Sequence, residues 1–104
     1  MIAFEGIRHA NGTVVFLNTN GRVKKLPLHL NEVNHSPTGF EWGYGDSGPA
    51  QLAYAILRMY GGKGFAQVHY QQFKWDIVAK FDKDAWTLTN KQIKDWYDKT
   101  LDTE

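Results

Sequence analysis

Between a run of β-formers and a run of helix formers the chain reads Gly43-Tyr-Gly-Asp-Ser-Gly-Pro49, within the longer segment 39–49. This is where chemistry would have to sit. A strand that turns through glycines into a helix presents unpaired N–H groups and the positive end of a helix dipole, which together suit an anion. A small anionic ligand or a nucleotide held at Ser47 and Gly48 is therefore one expectation. Against it, the segment has neither the lysine of a phosphate-binding loop nor the glycine spacing of a dinucleotide fold, and Asp46 would repel phosphate. The plainer reading makes the glycines a tight turn, with Ser47 or Asp46 capping the helix.

Gly45-Asp-Ser-Gly-Pro49 also resembles the run around the nucleophile of trypsin-like serine proteases, where such a turn aims a hydroxyl at a carbonyl. That fold needs two β-barrels and a far longer chain, and here the turn runs straight into a helix. Ser47 is therefore read as a natural N-cap, and no residue is assigned a catalytic role. With no cysteine, chemistry built on thiolates is excluded. His9, His29, His35 and His69 form no i, i+4 pair and stand at no recognised ligand spacing, so they are read as surface or loop residues, and no metal or cofactor is expected. His35 is the best candidate among them, because with Ser36 it could fold over the loop near Glu41, either to move a proton or to make a structural hydrogen bond.

Recognition is the other chemistry on offer. Trp42, Tyr44, Trp75, Trp86 and Trp96 could build an aromatic platform for bases or for a protein partner. Most belong in a core, but Tyr44 lies between two glycines and Trp75 lies beside Lys74 and Asp76, off the apolar stripe of its helix, so these two are expected at the surface. Arg22, Lys24 and Lys25, with Arg8 across a hairpin, could make a basic face for phosphate or an acidic protein. They would serve equally as a strand edge that resists aggregation. Twelve basic against eleven acidic side chains leave a net charge of only +1, which disfavours nucleic acid as a partner.

The elements that must position these residues follow from pattern. Residues 2–9, 13–17 and 22–30 read as strands joined at Asn11-Gly12 and Asn20-Gly21, dipeptides that suit tight hairpins. Residues 31–38 read as a loop, and residues 40–44 could add a fourth strand with Phe40 and Trp42 on one face and Glu41 on the other. A buried helix starts at Ser47 and ends at Gly61-Gly62. A second spans about 65–81, with Ala66, Tyr70, Phe73, Ile77 and Phe81 on one face and Lys74, Asp76 and Lys80 off it. A third starts at Thr89, where Thr89 and Gln92 fit a capping box, and packs Ile93, Trp96, Tyr97 and Leu101. The expected fold is α+β: an antiparallel meander of three to four strands with about three helices on one face. It forms one domain over 1–104, mainly β in 1–44 and mainly α in 47–104.

The run from His35 through Ser-Pro-Thr-Gly-Phe-Glu-Trp-Gly-Tyr-Gly-Asp-Ser-Gly-Pro-Ala-Gln-Leu to Ala53, followed by Tyr70-Gln-Gln-Phe-Lys74 and Trp86-Thr-Leu-Thr89, resembles a family of small uncharacterised proteins of phages, prophages and other mobile elements. The family pattern more usually has glycine at the position of Asp46. The resemblance carries no activity to transfer. It implies a context in which small proteins often bind and block host defence machinery, as anti-CRISPR inhibitors do. The expectation is thus a non-enzymatic accessory protein whose partner is a host protein, met in the host cytoplasm. No stretch reaches the length of apolar residues that spans a bilayer, and the amino terminus lacks the unbroken apolar run of a signal peptide.

Overall fold

Alternation of side chains across a pleated strand decides which residues of the first half are buried. The computed structural model describes residues 2–102. Strands β1 (Ile2–His9), β2 (Gly12–Thr19) and β3 (Arg22–Lys25) form the expected meander. Phe4, Val15 and Leu17 point to one face and are buried, whereas Ile7, Val14 and Phe16 point to the other. β3 stops five residues short of the expected end. Leu26 still donates to the Val15 carbonyl, but Pro27 has no N–H with which to continue the ladder.

The fourth strand is β4 (Ala85–Thr89), not residues 40–44. It pairs antiparallel with the free edge of β1, which gives the sheet order β3-β2-β1-β4. Trp86 and Leu88 face the core, with Trp86 opposite Gly6 and Leu88 opposite Phe4. Residues 40–44 cannot join a ladder because their polar groups are engaged in several directions. The Phe40 carbonyl accepts from the Thr13 hydroxyl, Glu41 N donates to the Gly48 carbonyl and Gly43 N to that of Val78. At Gly43 a φ of 86° turns the chain out of extended geometry.

Helix α1 (Ser47–Gly61) buries every residue from Gly48 to Leu57. α2 (Lys63–Asp76) is shorter at its end than the apolar periodicity predicts. It breaks at Ile77 and a 3-10 turn, Val78–Lys80, follows, which frees the Val78 carbonyl to accept from Gly43 and Phe81. α3 (Asn90–Asp102) starts as expected: Thr89 N donates to Gln92 Oε1 at 2.8 Å and Gln92 N to Thr89 Oγ1 at 3.2 Å. One core joins the inner sheet face to the helices, from Phe4 and Leu17 through Leu52 and Ile56 to Phe73, Ile93 and Trp96. No helix among the described residues is long and apolar enough to cross a membrane.

Candidate functional site

Segment 39–48 is tied down from three sides. Arg8, at the end of β1, donates through both terminal nitrogens to Glu41, at 2.7 and 3.1 Å, and through Nε to the Lys83 carbonyl at 2.9 Å. Its guanidinium also lies over the Trp42 ring, 5.2 Å from the centroid. Trp42 is buried, donates from Nε1 to the same Lys83 carbonyl and meets Trp86 edge-on. The forked Arg8 contact holds the Glu41 carboxyl below the usual glutamate range.

Gln51 fixes the approach to this segment. It is fully buried on α1, and its amide uses all of its bonding capacity on the loop 28–36. Oε1 accepts from His35 N at 2.7 Å and Ser36 N at 3.2 Å, while Nε2 donates to the carbonyls of Leu28 and Val33 at 2.7 and 2.8 Å. Further along α1, Glu32 reaches back from the same loop to accept from Tyr54 and Arg58. Those bonds, Arg58's first, keep Glu32 more acidic than usual, and burial with the Glu32 bond pushes Tyr54 up to about 12.

Between these anchors Tyr44 and Trp75 stand exposed, at 47% and 55%. Gly45 lies so close to the Trp75 ring that a Cβ there would come within 2.1 Å of it, so the loop and the α2 side chain form one surface. Burial of the Tyr44 hydroxyl end, together with the charges of Glu41 and Asp46, raises its pKa. A Cβ on Gly48 would lie 3.3 Å from that hydroxyl, which places it against the start of α1. Lys74, expected off the apolar face, is buried, with its ammonium 4.5 Å from the Trp75 centroid. The long aliphatic stem lets it bury while the charge stays against the ring.

Several expected placements change. Of the two expected caps it is Asp46, in place of the favoured Ser47, that caps α1: its carboxylate accepts from Ser47 N at 2.8 Å, and Ser47 is the first helical residue. The helix start is thus lined by Asp46 and by Glu41, whose Cβ a side chain on Gly48 would strike. The Asp46 carboxylate occupies the dipole end that an anion would need, whereas the Glu41 charge is met by Arg8, so the geometry lends the anionic-ligand reading no support. His35 does not fold over Glu41. Its Nε2 lies 2.9 Å from the Tyr70 hydroxyl on α2, drawn there by the Gln51 bond to its backbone.

The basic face also divides. Arg8 is bound to Glu41 at one end of β1, whereas Arg22 pairs with Thr19, opposite Ile2 at the other end. Arg22 and Lys24 share a side of exposed β3, beside a shallow concavity of about 300 Å³ lined with Thr19 and Val23, and Lys25 points the other way. Among the described residues no three His, Asp or Glu side chains converge as metal ligands would.

Sequence reasoning missed the Arg8–Glu41 fork and the Gln51 clamp. The fork joins residues 33 apart and leaves no local pattern. Gln51 did leave one, as the sole amide in the otherwise apolar start of α1. A family model described as a family of unknown function (DUF6166) matches residues 4–99. No curated protein and no solved structure matches the chain.

Proposed function

The chain belongs to DUF6166, a family of unknown function, and we propose that it is a non-enzymatic binding protein that grips a protein partner through Tyr44 and Trp75. The observation that supports this is the exposure of two large rings on one surface formed by the loop and α2. Exposed tryptophan and tyrosine are the side chains that most often dominate protein interfaces, because they bring much contact area at little cost in conformational freedom. Here the Trp75 ring lies against Gly45, and the Tyr44 hydroxyl lies close to Gly48 at the start of α1. Lys83, also exposed, adds a cation beside the loop, and Asp46 an anion, as a polar rim would.

The partner we propose is a host protein of the defence machinery, met in the host cytoplasm. This rests on the resemblance of the run from His35 to Ala53 to mobile-element proteins. Tagged wild-type protein and the variants Tyr44→Ala and Trp75→Ala serve as baits in lysate of the source organism, with captured proteins quantified by mass spectrometry. A genuine partner binds wild type and loses about thirtyfold in affinity or more with each variant, the scale of an interface hot spot. Circular dichroism checks that both variants fold. A partner captured equally by all three baits refutes the assigned surface. Expression of the wild-type chain should also raise phage plating on cells carrying an active defence system, and Trp75→Ala should not.

A further inference from the structure

The helices cover one face of the sheet, and the other face carries Ile7, Val14, Phe16 and Val23. Ile7 is 47% exposed and Val23 56%, and neither Val14 nor Phe16 joins the hydrophobic core. Glu5, Phe16 and Lys25 lie side by side in one cross-strand row on this face, with Phe16 in the middle on β2. Glu5 and Lys25 are about 9.6 Å apart, two strand spacings. Among the described residues neither makes an ion pair.

We propose that two copies of this chain pack these faces together about a two-fold axis running along β2. Such an axis keeps β2 over β2 and exchanges the positions of β1 and β3. Phe16 then meets Phe16 of the second copy, Glu5 meets its Lys25, and Lys25 meets its Glu5. The neighbouring rows obey the same rule: Asn18 meets Asn18, and Ala3 meets Val23. The match is self-complementary in charge and in row register, which a two-fold interface requires. Packed sheets cross at about 30°, and so close to the axis this displaces the Glu5–Lys25 partners by only about 2.5 Å, within reach of their side chains. Arg22 and Lys24 point to the opposite side of β3 and leave the contact free of unmatched cations. In this arrangement β1, β2 and β3 overlap while β4 lies beyond the edge of the second copy's β3, so the contact is small by interface standards.

Sedimentation equilibrium across micromolar to millimolar concentration tests this. Wild type should pass from the monomer mass of 11.9 kDa to twice that value. Glu5→Lys and Lys25→Glu each place like charges at both symmetry-related contacts and should weaken the dimer about a hundredfold. The double variant should restore it. So should mixing the two single variants, since that heterodimer pairs opposite charges at both contacts. Circular dichroism confirms folding, which these surface changes leave alone. Wild type that stays monomeric at millimolar concentration overturns the proposal. A dimer indifferent to both single swaps overturns it as well, by placing the contact elsewhere.

Discussion

Replacing Gln51 with leucine keeps the size of the side chain and removes all four bonds that hold loop 28–36 to α1. A hydrogen bond of this kind contributes about 1 kcal/mol net, and a partner left unsatisfied costs more. Here Leu28, Val33 and Ser36 are only half-buried and His35 is exposed, so water can reach part of what is orphaned. The added apolar contact of leucine offsets a little. About 3 kcal/mol of stability should be lost, which for a domain of this size lowers Tm by roughly 12–24 °C. Urea unfolding gives the free energy, and amide exchange gives the location: the His35 and Ser36 amides should lose protection while those within β1 and β2 keep theirs. Glutamate at the same position, once ionised, would turn a carboxylate oxygen toward the Leu28 and Val33 carbonyls. Gln51→Glu should therefore be worse than leucine at neutral pH and recover partly on mild acidification. A loss under about 1 kcal/mol for leucine, or unchanged protection at His35 and Ser36, would show that the loop is held by packing and that the clamp is incidental.

Acid should loosen the same region. Glu32 and Glu41 both have lowered pKa values in the folded chain, so their contribution is fully present above the ordinary glutamate value, about 4.3, and is lost as pH falls through the lowered values. The pH dependence of Tm below that point should flatten in Glu32→Gln and in Glu41→Gln, and an unchanged slope would refute the two ion pairs. Gly6→Ala places a Cβ 2.3 Å from the Trp86 indole, deep in the core, and should cost about 1–3 kcal/mol by thermal melt; a neutral result would mean that Trp86 moves freely.

The parts of the fold that were legible are those with local causes. The meander announces itself in its Asn-Gly turns, and α3 in the reciprocal Thr89 and Gln92 bonds, because each needs only residues a few positions apart. β4 was hidden because five residues, two of them buried, give too short an alternation to stand out before a capping signal, and its partner β1 lies some eighty positions away. Residues 40–44 misled for the converse reason: the alternation of Phe40, Glu41 and Trp42 is real and buries both rings, but the backbone is bonded to Thr13, Gly48 and Val78 instead of to a strand. At the site, composition and neighbours marked out Tyr44 and Trp75 as surface residues. Their union through Gly45, and the fork that holds Glu41, depend on contacts between distant segments.

Two glycines on this chain lie under tryptophan rings, and the difference between them separates packing from display. Gly6 sits beneath Trp86, which is 8% exposed, stacks on Phe81 at 4.1 Å and meets Trp42 edge-on. Every side of that ring is used by the core, so the glycine is explained by folding alone. Gly45 sits equally close to Trp75, yet Trp75 as a whole is exposed, as is Tyr44. Stability does not call for a tryptophan there, since burial is where its apolar area contributes and most of that area is wet. A large ring held against Gly45 offers the flat apolar surface that the proposed partner would meet with little additional ordering. The same glycine-under-ring contact thus serves the core at Gly6 and, at Gly45, leaves the ring exposed, as the proposed binding role requires.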